Sequence, residues 1–389
     1  MAAKVNANPI MIKWAREDAG FTLDELPKSL SKAEKWETGE EKPTWNDLRN
    51  LAKKYKRPSF FYFLSQPPEE EEDLIEFRSD EKIEEYSPAL KLEIRKAKSR
   101  RNAYIKINED MGIRIPNFSQ HISKEKNYLK LGKYIRNLLN VSFETQKKWI
   151  FNRNGNRDST HNCFLNHWKE ILFDMGILVF EVKDVHENEM SGCSLYYNNC
   201  PIILLNGKNH YNRRIFTLMH ELAHLVQGQS TICDVDKHNI KESFCNKVAA
   251  EILIPKETLK DLNLFTKKEH NLKVANLSNF YGVSKQSIVY KLYDSGLISN
   301  ELKKDWINNL ERYNIQKKQK DKEKMEKAKK EGKKPHISIV TIKRKQDGTP
   351  FTKLILYAYE NDVITATEAM RYLDTSLDNI DKLDLEING

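Results

Sequence analysis

Long hydrophobic runs are missing from this sequence. No stretch approaches the eighteen consecutive apolar residues a helix needs to cross a bilayer, so no membrane partner is expected. The opening residues, Met1-Ala-Ala-Lys-Val-Asn-Ala-Asn8, lack the apolar core of a signal peptide, which makes the cytoplasm the expected location. Cysteine is scarce: there are five residues, an odd number, and no Cys-x-x-Cys pair. That argues against a disulfide framework and against a cysteine-built zinc site. Nothing repeats along the chain.

What is present is a charged chain of 389 residues, 39% hydrophobic and 31% charged, long enough for two or three domains. Its formal charge of +9 is concentrated. Gln316 to Lys334 carries ten lysines against Asp321, Glu323, Glu326 and Glu331, and so holds six of the nine net charges. Lys317, Lys318 and Lys320 head that stretch and are candidates for holding DNA phosphates without sequence preference, although a lysine-rich helix is more often simply solvated.

Residues 1–66 read as a compact helical unit. Trp14 to Gly20 is a short helix stopped by glycine, and Thr22 with Glu25 forms a capping box. Leu48, Leu51 and Ala52 recur at helical spacing in a helix from Asn46 to about Tyr55, and Phe60 to Leu64 is an apolar run that docks on the unit. Pro67-Pro68 and five adjacent carboxylates, Glu69 to Asp73, mark a boundary. Residues 67–120 are then an acidic linker and a polar connecting helix, Ser87 to about Met111. In residues 121–300, Tyr128 to Phe143 and Cys163 to Met175 have helical periodicity. Gly176 to Val182, Cys193 to Tyr197 and Pro201 to Leu205 have strand patterns. A lysine-rich helical linker, 301–335, leads to a small C-terminal α/β region, 336–389, with a strand at Ile337 to Arg344, a turn at Asp347-Gly348 and two helices. The fold class expected is α+β, predominantly helical.

The chemistry sits in Ile215-Phe-Thr-Leu-Met-His220-Glu221-Leu-Ala-His224-Leu-Val226. Residues four apart share a helix face, so His220 and His224 can bind one ion with Glu221 beside it. The flanking positions are apolar, which buries the helix, and buried polar groups need partners. Histidines bonded only to backbone are the bland reading. A catalytic zinc takes three protein ligands and keeps an open position. The third ligand comes from a second helix, Glu242 to Pro255, where Glu242 and Glu251 are nine residues apart and half a turn out of phase, so one alone can face the metal. Glu242 is preferred because it shares its face with Asn246, Ala249 and Ala250, small alanines that allow close approach. Asn246 is then a candidate to hydrogen-bond a ligand. Glu251 is the alternative; Cys245, Asp234, Asp236 and His238 are weaker.

These residues resemble the ImmA/IrrE family of metallopeptidases. The likeness is carried by Arg214 to His224, by Glu242-x-x-Cys-Asn-x-x-Ala-Ala-Glu-Ile-Leu-Ile-Pro255, by Gly192-Cys-Ser-Leu and by Pro201 to Asn206. Tyr281 to Leu292 is similar to the helix-turn-helix segment that ends such a core. Trp36 to Thr44 resembles an XRE-type helix-turn-helix, and Glu76-Phe77-Arg78 and Thr365 to Met370 are similar to segments of long members. The resemblance implies a zincin-like core, zinc as cofactor, Glu242 as third ligand, and a protein substrate such as a DNA-bound transcriptional repressor or an antitoxin encoded nearby, in a regulatory, phage-defence or toxin-antitoxin setting. Two departures stand out. Ser31 to Lys35 leaves little room for a recognition helix, so the first unit is expected to be degenerate, and Lys291 stands where arginine is expected.

The mechanism expected is peptide hydrolysis with Glu221 as general base. Cys193, Ser194 and Leu195 are expected to form an edge strand on which substrate adds. Tyr211, His238, Tyr281 and Tyr290 are candidate donors to the tetrahedral intermediate. The rival reading is a DNA-binding transcriptional regulator whose zinc is sensory or structural.

Overall fold

The structure, a computed structural model, describes residues 3–67, 86–151, 162–233, 240–259, 270–330 and 338–388. Its fold is α+β and predominantly helical, with one small sheet. Two compact units are present: Met1–Ser99 with Asp184–Glu189, and Arg100–Lys183 with Met190–Gly389. Among the described residues no helix is long and apolar enough to cross a membrane. Glu76, Phe77, Arg78, Asp234, Asp236 and His238 lie outside the described residues.

In the first unit α1 (Pro9–Asp18) starts where Asn8 accepts the Ile10 amide and Pro9 supplies a preset φ. The Thr22–Glu25 capping box closes a single 3-10 turn rather than an α-helix. Pro27 explains this: it has no amide to donate, and it holds Leu26 extended at ψ 142°. After a second 3-10 turn, Lys28–Leu30, α2 (Ala33–Glu37) is five residues long, and α3 (Trp45–Tyr55) is capped by Thr44 with Asp47. Met11, Ile12 and Ala15 from α1, Trp36 from α2, Leu48, Leu51 and Tyr55 from α3, and Phe61 with Tyr62 make its core. Arg16 is fixed beneath them by two 2.8 Å bonds to Glu37. The connecting helix α4 (Pro88–Asp110) belongs to this unit up to Ser99.

The second unit contributes α5 (Tyr128–Leu138), α6 (Phe143–Lys148) and α7 (Asn162–Asp174) before its sheet. The strands are β1 (Leu178–Val182), β2 (Gly192–Leu195), β3 (Ile202–Asn206) and β4 (Thr231–Cys233), in the order β1-β3-β2-β4. β1 and β3 are parallel; β2 is antiparallel to both β3 and β4. Helix α8 (Tyr211–Val226) packs on β2 and β3, and α9 (Ile240–Leu253) packs on α5 and α8. Next come α10 (His270–Tyr281), α11 (Lys285–Asp294) and the 31-residue α12 (Asn300–Lys330). Four helices close the chain: α13 (Ile339–Asp347), α14 (Thr349–Glu360), α15 (Ala366–Tyr372) and α16 (Leu377–Asn388).

The C-terminal region differs from the sequence expectation in two respects. The strand expected at Ile337 to Arg344 is helix α13 within the described residues. Its β-branched residues are overridden by packing: Val340 and Asp347, two turns apart, both point inward, and Asp347 lies 2.8 Å from Arg100. The C-terminal piece is therefore all helical as described, and three helices follow Gly348, not two. The sequence carries no signal for the fourth strand, β4, because three residues are too few to show an alternating pattern.

Candidate metal and catalytic site

Helix α8 is buried along almost its whole length, so its polar residues must satisfy one another or a ligand. His220 and His224 lie one turn apart with their Nε2 atoms 3.2 Å from each other. Glu242, in the first turn of α9, reaches across: its Oε2 is 2.9 Å from His220 Nε2 and its Oε1 is 3.5 Å from His224 Nε2. The three side chains form the one such group of potential metal ligands among the described residues, all within 4.8 Å of one another. Ligand atoms about 2.0–2.2 Å from a tetrahedral ion stand roughly 3.3–3.6 Å apart, which matches these spacings to within a few tenths of an ångström.

Glu251 sits on the other side of α9. It is buried, pairs with Lys291 of α11 and accepts the Lys256 amide at 3.0 Å. The close approach of α5 to α9 there depends on Gly132, where a Cβ would fall 2.6 Å from Glu251 Cβ. Lys291 is thus occupied as the counter-charge of Glu251.

Glu221 is fully buried. Its Oε2 accepts a 3.1 Å hydrogen bond from Thr231 Oγ1, and Ser194 Oγ lies 2.8 Å from that hydroxyl. Its Oε1 has no hydrogen-bond partner among the described residues. A buried carboxylate oxygen left in that state is costly unless something else is meant to occupy the space beside it. Glu221 follows His220 on α8 and its charge acts on His224, so an unpartnered carboxylate oxygen at this position fits a site built for a cation and a water.

The electrostatics agree. Burial works against charge on both members of the His224–Glu242 pair, yet bonds from Cys245 and Glu242 raise His224 to about 11, and bonds from His220 and His224 hold Glu242 well below the usual carboxylate range. Around His224 Nδ1 stand Gln229 Oε1 at 3.4 Å and Cys245 Sγ at 3.7 Å. Asn246 is exposed on α9 and makes none of these contacts; the helix turns its neighbour Cys245 inward instead.

The expected edge strand is also corrected. Cys193, Ser194 and Leu195 are buried in β2, which pairs with β3 on one side and, through Gly192, Cys193 and Ser194, with β4 on the other. The strand at the sheet's edge on this side is β4. Of the candidate donors, Tyr281 is buried with its hydroxyl 2.6 Å from Thr258 Oγ1, and Tyr290 is half-exposed on α11. Tyr211 begins α8 under Arg214, roughly 13 Å along the helix axis from His220. Lys317 and Lys320 are exposed on α12; the side chain of Lys318 lies outside the described residues. Thr231 and Gln229 were not anticipated, since no spacing rule marks them; the β2–β4 register brings Thr231 to Ser194.

No curated protein and no solved structure matches the chain. Residues 174–293 match the family model described as Peptidase_M78, IrrE N-terminal-like domain. The match runs from the end of α7 to the end of α11 and includes His220, Glu221, His224 and Glu242. This segment is therefore similar to a metallopeptidase domain, and its histidine–histidine–glutamate cluster lies within the matched residues.

Proposed function

We propose that the chain is a zinc-dependent endopeptidase that cleaves a cytoplasmic protein, with His220, His224 and Glu242 as the metal ligands and Glu221 as general base. The observation that carries this reading is the convergence of three ligand atoms beside a buried carboxylate whose Oε1 has no partner among the described residues. Two histidines and one carboxylate are the donor set of open zinc sites; structural zinc more often takes four cysteines or a cysteine–histidine mixture. A bound zinc ion would supply Lewis acidity, bringing the pKa of water to about 7 and polarising the scissile carbonyl.

The protein's own groups do the rest. Glu221 accepts a proton from the attacking water at Oε1 as the new C–O bond forms, and returns it to the nitrogen as the C–N bond breaks. An extended substrate segment adds to the outer edge of β4, Thr231–Cys233, since β2 is paired on both sides. The preferred substrate is a transcriptional repressor or antitoxin encoded nearby, in a regulatory or defence setting.

The test is incubation of the full chain with the proteins encoded beside its gene, with and without chelator. Cleavage that stops with chelator and with Glu221→Gln is the expected result. Cleavage unchanged by Glu221→Gln in zinc-loaded protein overturns the mechanism.

A further inference from the structure

Strands β2 and β4 run antiparallel with Ser194 directly opposite Thr231, so the two hydroxyls stand side by side on one face of the sheet. Their hydrogen bonds have only one consistent direction. A carboxylate accepts and does not donate, so the single Thr231 hydroxyl proton, 3.1 Å from Glu221 Oε2, goes to that oxygen. Thr231 Oγ1 then has only lone pairs to offer to Ser194, 2.8 Å away, so Ser194 donates. The result is a directed chain, Ser194 to Thr231 to Glu221, ending on one oxygen of the carboxylate. Ser194 is fully buried in β2. The other oxygen, Oε1, is buried and without a partner among the described residues. Gly192 lies against it, and a Cβ there would stand 2.7 Å from Oε1.

Resting on the peptidase reading above, we infer that Thr231, backed by Ser194, is the positioning residue of the general base: it holds Glu221 by Oε2 and thereby dedicates Oε1 to proton transfer. The chain achieves this with a short return. Helix α8 ends at Val226, Gly228 turns the backbone at φ +71°, and β4 comes back along β2 to hold a residue of the helix just left. A glutamate side chain has three rotatable bonds, and a displacement of about 1 Å in a reacting group costs up to about 10²-fold in rate. The hydroxyl chain removes that freedom with neutral groups, Thr231 on Oε2 and Ser194 behind it.

The experiment compares wild type, Thr231→Val, Thr231→Ser and Ser194→Ala as full-length proteins. Thr231→Val keeps the shape and the strand preference of the residue and deletes only the hydroxyl. Two readouts are taken. With Co(II) in the metal site, the visible absorption envelope is expected to change in Thr231→Val and to return in Thr231→Ser. In a Glu221→Gln background, Thr231→Val is expected to add no change of its own. With fluorescein-labelled casein as probe, kcat is expected to fall about 10²-fold in Thr231→Val at constant KM. Thr231→Ser is expected to recover most of that loss, and Ser194→Ala to show a smaller loss of the same sign. A wild-type Co(II) envelope in Thr231→Val, or a shift that persists in the Glu221→Gln background, overturns the positioning role. A chain that takes up no Co(II), or takes it up equally after His220→Ala, instead overturns the peptidase reading on which the inference rests.

Discussion

Gly192 leaves Glu221 its room. A Cβ at this β2 position would lie 2.4 Å from Thr217 Cγ2 and 2.7 Å from Glu221 Oε1, so the sheet and α8 touch through a missing side chain. Gly192→Ala is expected to destabilise the fold by about 1–3 kcal/mol, the usual cost of forcing a methyl group into a packed interior, and to displace Glu221. Thermal unfolding and peptide cleavage measured on the same preparation check this. A fully stable, fully active Gly192→Ala protein would show that α8 has slack that the structure does not show.

Glu242 and Glu251 should separate cleanly. Glu242→Ala is expected to lose zinc, measured by elemental analysis after dialysis, with a modest change in stability. Glu251→Gln is expected to retain zinc through dialysis, at a lower affinity than wild type, and to lose about 3–5 kcal/mol in urea unfolding, because Lys291 is left buried without its counter-charge. The reverse pattern would put the ligand on the wrong face of α9.

Metal uptake should release protons. In metal-stripped protein His224 is raised to about 11 from 6.5, so at neutral pH its ring carries a proton that a ligand cannot keep. Apparent zinc affinity is expected to rise about tenfold per pH unit across the neutral range for each proton displaced, measured by calorimetry in buffers of different ionisation enthalpy. The stability of the stripped protein follows the opposite rule. The raised His224 contributes fully below pH 6.5 and progressively less as pH rises towards about 11. The depressed Glu242 contributes above pH 4.5 and is lost as pH falls below it. The pair therefore supports the stripped fold best between those two values. Chelator-treated protein that instead becomes more stable from pH 7 to 9, with no other group responsible, would contradict this assignment.

DNA contact is expected to be unspecific. Helix α2 is only five residues long, too short to present a normal reading face in a major groove, whereas Lys317 and Lys320 stand exposed on α12. Binding of the full chain to unrelated duplexes should be equal and fall steeply with salt, by about 0.9 log units per log unit of salt for each phosphate contact, and Lys317→Gln with Lys320→Gln should flatten that slope. Preference for one sequence by about a thousandfold or more would revive the regulator reading.

Some of this was legible in the residues and some was not. The helix face of His220 and His224 and the opposite phases of Glu242 and Glu251 follow from 3.6 residues per turn, a local property, and the geometry has Glu242 and not Glu251 at the histidines. The partner of Lys291 could not be read, because it depends on how α9 and α11 meet. Nor could the edge of the sheet. A three-residue strand carries no periodicity, so nothing in the sequence marks Thr231–Cys233, and the edge expected at β2 is covered by β4. At Ile339 to Arg344 the β-branched composition pointed one way and tertiary packing went the other.

Because Glu242 and Glu251 are carried by one helix, α9 would tie a metal held at Glu242 to an ion pair on its far side. If the orientation that delivers Glu242 to the histidines is also the one that seats Glu251 against Lys291, the two events share a coupling free energy. Reciprocity then applies: whatever the Glu251–Lys291 pair adds to zinc affinity, zinc adds in equal measure to the strength of that pair. A substitution at Lys291, on a helix with no residue in the candidate ligand cluster, would then tune how tightly an ion at that cluster is held.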